Sequence, residues 1–165
     1  MVEVSDRDRQ SDIEAIYRLR YGKFLRVAVA ILRDERLAEE AVHDAFVRAL
    51  RHRERFEERG SLEAWLWRIV VNEARRGRSI EQAVRQVPLP EAAAAPANGR
   101  PQSSAVEAIV AALPERQRLA LFLRYYADLD YGAIATALGI KPGTVAATLH
   151  TAHAALRRQL LAVEP

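Results

Sequence analysis

Two spacings in this 165-residue chain suit a metal ion: Glu40 with His43, and His150 with His153. A glutamate and a histidine three positions apart share one helix face, which is how di-iron bundles present their ligands. Such a site also needs a second Glu-x-x-His motif and two further glutamates on facing helices, and no second motif occurs. The absence of cysteine removes thiol nucleophiles, iron-sulfur clusters, disulfides and cysteine-ligated zinc together. No glycine-rich phosphate loop and no recognisable serine-histidine-acid set is present. No catalytic residue, metal or cofactor is therefore expected, and the chain is not read as an enzyme.

What remains is the chemistry of arginine. Lys23 and Lys141 are the only lysines, and every other fixed side-chain cation is arginine, which holds phosphates and stacks on bases. The net charge of +3 is small, and a GC-rich coding sequence explains arginine enrichment equally well, so placement has to decide. The densest basic group is Arg68, Asn72, Arg75, Arg76 and Arg78, with only Glu73 opposing it. That is the natural place to hold phosphates.

The elements that position these residues read as helices throughout. The expected fold is all-α: two small helical domains, residues 10–79 and 106–162, joined by a flexible linker at 80–105. In the first, Ile13, Ile16 and Tyr17, then Phe24, Ala28 and Ile31, recur at helical intervals, with Gly22 as the expected break. Asp34 is placed to cap the next helix, where Ala38, Ala41, Val42, Ala45, Phe46, Ala49 and Leu50 form an apolar stripe. Gly60 and Ser61 restart the chain into a helix with Leu62, Trp65, Leu66, Ile69 and Val70 on one side. Trp65 and Trp67 stand two apart and cannot both face one core; Trp65 is expected inside and Trp67 outside. Pro88 to Ser104, with four prolines and no period, reads as linker. Over residues 80–105 a relaxed coil spans about 25 to 30 Å and a proline-stiffened extended chain about 80 Å, so the modules are expected roughly one to two duplex turns apart.

In the second module Pro114 is expected in the first turn of a helix carrying Leu119, Phe122, Leu123 and Tyr126. Tyr131, Ile134, Ala135 and Leu138 line a short helix that Gly139 terminates. A last helix follows Pro142, with Val145, Leu149, Ala152, Leu156 and Leu160 inward. Short helix, glycine turn and second helix make a helix-turn-helix. A helical hairpin without a DNA role fits the same periodicity. No apolar stretch reaches the roughly 20 residues of a membrane span, and Met1 to Tyr17 is charged where a signal peptide is apolar. A cytoplasmic protein without membrane insertion is expected, with no sensory domain after Pro165.

With both modules in view, the chain resembles the extracytoplasmic-function sigma factors of the bacterial sigma-70 family. Leu37 to Leu50 (LAEEAVHDAFVRAL) is similar to the family's acidic helix that docks on the clamp of the RNA polymerase β′ subunit. Ser61 to Asn72 (SLEAWLWRIVVN) is similar to its promoter-melting segment. Leu113 to Leu123 (LPERQRLALFL), Asp130 to Leu138 (DYGAIATAL) and Gly139 to Leu149 (GIKPGTVAATL) follow its helix-turn-helix. The resemblance implies that residues 10–79 are sigma region 2 and 106–162 sigma region 4, with core RNA polymerase (β′ clamp and β subunit), promoter DNA and an anti-sigma protein as partners. Glu39, Glu40, His43, Asp44 and Arg48 would meet the polymerase, although the same residues suit a solvated helix face. Arg53, Arg55 and Phe56 would hold an unstacked base of the melted promoter element, although Phe56 also suits a core anchor. Arg68, Asn72, Arg75, Arg76 and Arg78 would hold the strand beside it. Thr144, Thr148, His150, Thr151, Arg157 and Arg158 would meet the upstream promoter element.

The resemblance implies cations at Ala146, Thr148, Thr151 and His153, and none is present there. From Pro142 to Ala155 there is no lysine or arginine. Losing four phosphate contacts lowers the salt slope of binding by about 3 to 4 units, so weak binding to the upstream element is expected. His43 and Ala133 are smaller departures, at positions usually held by glutamine and glutamate. The alternative is a sigma-like protein that binds polymerase or an antagonist without initiating transcription.

Overall fold

The computed structural model describes residues 6–85 and 105–163. Among these the regular structure is helical: α1 (Asp6–Leu32), α2 (Glu35–Arg51), α3 (Leu62–Arg85), α4 (Ala105–Ala111), α5 (Glu115–Leu121), α6 (Tyr131–Leu138) and α7 (Pro142–Val163). A 3-10 turn, Arg53–Arg55, follows α2, and a π-helical turn, Phe122–Tyr126, continues α5.

Local chemistry explains where these helices start and stop. The Asp34 carboxylate accepts from the Leu37 amide at 2.9 Å and caps α2. Ser61 Oγ accepts from the Ala64 amide at 3.0 Å, and Asp130 from the Ala133 amide at 2.7 Å. Gly139, at φ +66°, ends α6 in the left-handed conformation, which a side chain disfavours.

α1, α2 and α3 pack around an aromatic knot. Phe24 on α1 meets Phe46 on α2 at 5.1 Å between centroids and Trp67 on α3 at 4.2 Å, while Tyr17 closes on Phe46 at 4.7 Å. Ile13, Val27, Ile31, Val42, Leu66 and Val70 complete this buried layer. α5, α6 and α7 enclose Leu119, Leu123, Ile134, Val145, Leu149 and Ala152.

Several expectations are corrected. Gly22 does not break the first helix: α1 runs unbroken from Asp6 to Leu32, because one core stripe serves its whole length. Trp67 is fully buried and Trp65 half-exposed, the reverse of the expected order. The reason is that α3 buries Leu66, Trp67, Val70, Val71 and Ala74, a stripe centred one residue further round than the one centred on Trp65. α3 also continues through Ile80 to Arg85, into the stretch expected to be linker. Pro114 lies at the N-cap of α5 rather than inside its first turn. Leu160 is 43 % exposed because α7 outruns the helices it packs on. The expected linker core, Pro88 to Ser104, lies outside the described residues.

The two units are not held apart. α6 packs along α3, and the π-helical turn and α5 touch α1. Lys23 Nζ lies 2.8 Å from Asp128, and the Arg26 guanidinium stands 4.6 Å from the centroid of Tyr126. One connected buried cluster runs through both units.

Candidate polymerase and nucleic-acid interfaces

α2 is divided lengthwise. Ala38, Ala41, Val42, Ala45, Phe46 and Ala49 are buried, and Glu39, Glu40, His43, Asp44 and Arg48 all face outward. Arg48 is the one of the five ion-paired to another helix among the described residues: its Nε lies 2.7 Å from Glu73 Oε1 on α3. Glu73, which in the sequence opposes the basic group, is thereby turned toward α2 instead. A cleft of about 500 Å³ between α2 and α3 is lined by Glu40, Asp44, Arg48, Glu73, Arg76 and Ile80 among others. Leu32, Leu37, Ala41 and Val47 also line it, and charges placed around such a cleft orient a protein partner.

The loop after α2 is braced by the start of α1. Arg53 Nε donates to Asp6 at 2.6 Å, and its Nη1 donates to the Leu50 carbonyl at 2.7 Å. That hydrogen bond holds the Asp6 carboxyl below its ordinary range. Arg9 reaches Glu58 at 3.2 Å and stands 5.7 Å from the Phe56 centroid. Phe56 packs on Trp65 at 5.6 Å, so it anchors the loop while remaining partly exposed. Arg55 is exposed, without an ion-pair partner among the described residues. Of the three candidates here, Arg55 is thus the one free to meet a ligand without breaking an internal contact.

The basic end of α3 splits in two. Arg68, Asn72 and Arg76 are exposed. Arg75 and Arg78 instead turn to Glu115, at the start of α5: Arg75 Nε to Oε1 at 3.0 Å, and Arg78 Nη1 to Oε2 at 3.2 Å. Glu115 is a site residue that sequence reasoning missed. It lies 40 positions from Arg75, beyond any local signal, and by itself reads only as an acidic first-turn residue.

α7 presents two polar flanks instead of one outer face. Thr144, Thr148, Thr151 and Arg158 recur at helical intervals on one side of the buried stripe of Val145, Leu149 and Ala152. His150, His153 and Arg157 recur on the other. The threonine flank is partly self-satisfied, since Thr151 Oγ1 donates to the Ala147 carbonyl at 2.9 Å. His153 is paired within its own unit, with Nε2 2.8 Å from the Tyr125 hydroxyl. His150, Arg157 and Arg158 are exposed.

Among the described residues no group of three or more histidines and acids gathers as a metal site. No described helix is long and apolar enough to cross a membrane.

Comparison with known proteins adds a family match to this geometry. Residues 16–82 match the model of Sigma-70 region 2, and residues 103–156 that of Sigma-70, region 4. The RNA polymerase sigma-E factor of Streptomyces coelicolor is 29% identical over 158 residues, covering 92% of this chain and 87% of the relative. The ECF RNA polymerase sigma factor SigW of Bacillus subtilis is 26% identical over 179 residues, covering 96% of this chain and 92% of SigW. Two solved structures share the fold. The sigma factor RpoE of Bartonella quintana, in complex with the anti-sigma factor NepR, gives a TM-score of 0.66 at 23% identity, over 93% of this chain and 99% of that one. CnrH, in complex with the cytosolic domain of CnrY, gives 0.68 at 19% identity, over 94% and 91%.

Proposed function

The chain belongs to the sigma-70 family of RNA polymerase sigma factors, in its extracytoplasmic-function group, and from that premise we propose how its two helical units share promoter recognition. It binds core RNA polymerase and directs it to promoters, where transcription starts. The observation that carries this function is the match of both sigma regions, in order, over most of the described chain.

The outward face of α2, Glu39, Glu40, His43, Asp44 and Arg48, meets the polymerase clamp. Its charges orient the encounter, and their exposure leaves them available for it. The loop from Arg53 to Phe56 receives an unstacked base, with the Phe56 ring as a stacking surface and Arg55 as the free cation. Opening a duplex costs a few kcal/mol per unstacked base, which such a pocket offsets. Arg68, Asn72, Arg75, Arg76 and Arg78 then hold the backbone of the melted strand.

The threonine flank of α7, with Arg158, meets the upstream element, and His150 and Arg157 approach from the other side. With no lysine or arginine from Pro142 to Ala155, this contact is weak, and promoter choice rests mainly on the first unit. The protein carries out no chemistry of its own, since bond formation belongs to the polymerase, and it works in the cytoplasm beside that enzyme. An anti-sigma protein is its regulatory partner, as NepR is for the RpoE whose fold it shares.

Run-off transcription with core polymerase on pooled genomic fragments tests this function. Discrete transcripts that depend on the added protein are expected. Binding to core without any transcript above core alone would instead favour a sigma-like protein that does not initiate.

A further inference from the structure

The two arginines of α3 that point toward the second unit are already holding an anion. Arg75 and Arg78 stand three positions apart and project from one face of the helix. Glu115 divides its carboxylate between them, one oxygen to each guanidinium, at 3.0 and 3.2 Å. All three side chains are about one-third exposed. A carboxylate shared in this way by two guanidiniums matches the charge and spacing of the two free oxygens of a phosphodiester.

This anion comes from the other unit, because Glu115 opens α5. The neighbouring contacts have the same polarity. Lys23 and Arg26 of α1 supply the cations, and Asp128 and the ring of Tyr126 receive them.

We propose that Glu115 is a built-in competitor for DNA, filling the phosphate site of Arg75 and Arg78 while the units are docked. This rests on reading the α3 arginines as phosphate holders, and it adds that two of them are released only when α5 moves away. Arg68, Asn72 and Arg76 stay exposed in the docked form, so first contact with DNA does not require undocking. Because the same N–H groups cannot serve carboxylate and phosphate together, docking and DNA binding are linked. DNA held there disfavours docking by the same factor by which docking disfavours DNA.

The test uses the full chain and a fluorescein-labelled single-stranded DNA of mixed sequence, followed by anisotropy at low salt. Glu115→Gln keeps the side-chain shape and removes the charge. It is expected to bind about five-fold tighter than the parent, the scale of one to two partly exposed ion pairs. The gain should be absent when Arg75→Ala and Arg78→Ala are added. Since the chain has no cysteine, dyes on Ser11→Cys and Ala154→Cys report the distance between units, and their energy transfer should fall in Glu115→Gln. Asp128→Asn, which touches only the second docking contact, should shift both readouts in the same direction by less, and it decides the matter if circular dichroism shows Glu115→Gln to be misfolded. Equal or weaker binding by the folded variants, with Arg75→Ala/Arg78→Ala still weakening it, overturns the competitor and leaves the phosphate site standing. If adding Arg75→Ala and Arg78→Ala leaves Glu115→Gln binding DNA as tightly as before, the phosphate site itself is wrong, and the competitor falls with it.

Discussion

The rings of Trp67 and Phe24 lie 4.2 Å apart between centroids, tilted at 38°, and both side chains are fully buried. Through this pair α3 closes onto α1, and through Phe24 onto α2. The Trp67 indole N–H has no hydrogen-bond partner among the described residues, so the ring contributes by packing. Trp67→Ala is expected to cost about 3–5 kcal/mol, the range for emptying a buried aromatic site. Trp67→Phe should cost much less, since it loses area but also removes an unsatisfied donor. Trp65→Ala, at a half-exposed site, should fall well below Trp67→Ala. Urea unfolding of the three variants gives the order, and a larger loss at Trp65 would contradict the geometry.

The same pair shows why some of the fold was legible in the sequence and some was not. Asp34 and Gly139 act within one helical turn, so residue type and position sufficed to place them. Trp65 and Trp67 sit on nearly opposite sides of one helix, and which of them is fully buried depends on how α1, α2 and α6 surround α3. Periodicity reports that an apolar arc exists, not where its centre lies once several neighbours share it. The candidate site divides in the same way. The exposed charges of α2 follow from its own apolar stripe, whereas the capture of Arg75 and Arg78 by Glu115, and of Arg53 by Asp6, joins residues from distant parts of the chain.

The contacts of Asp6 and Asp128 predict a response to acid. A hydrogen bond from Arg53 lowers the Asp6 carboxyl, and one from Lys23 lowers Asp128, each below its ordinary value of 3.8. A folded pKa below the unfolded one means that the stabilisation is fully present above the unfolded value and is lost as pH falls through the folded value. Both pairs should therefore hold at neutral pH and open only below about 4. An acid titration followed by circular dichroism should show Asp6→Asn and Asp128→Asn losing part of the parent's acid sensitivity. Loss of stability confined to the range above pH 5 would contradict the assignment.

Gly139 predicts a local stability effect in the helix-turn-helix. A Cβ there has open space around it, but the φ of +66° disfavours any side chain. Gly139→Ala should cost about 1–2 kcal/mol, and Gly139→Asn less, since asparagine tolerates this conformation. Thermal melts of both variants measure the difference.

Reversing charge on the outer face of α2 should separate polymerase binding from folding. Glu39, Glu40 and Asp44 are all exposed. Among the described residues Glu40 pairs with Arg36, one turn away, a contact worth about 0.3–0.5 kcal/mol. Glu39→Lys/Asp44→Lys should leave the melting temperature nearly unchanged while weakening competition for core polymerase by about ten-fold or more. An unchanged competition curve would remove this face from the polymerase interface.

The sharpest consequence for promoter choice concerns α7. Its threonines donate hydrogen bonds but carry no charge, so upstream-element binding should have a shallow salt dependence. Each restored cation at a phosphate-facing position should steepen the slope of log affinity against log salt by about 0.9. Thr148→Arg and Thr151→Arg lie on the threonine flank, and Ala146→Arg lies on the flank of His150. Holoenzyme titrations on an upstream-element duplex at several salt concentrations therefore identify which flank faces the backbone. A steeper slope for Thr148→Arg or Thr151→Arg alone assigns the threonine flank, and one for Ala146→Arg alone assigns the histidine flank. A parent slope already as steep as that of the arginine variants would mean that Arg157 and Arg158 carry the phosphate contacts, and that α7 holds the upstream element tightly after all.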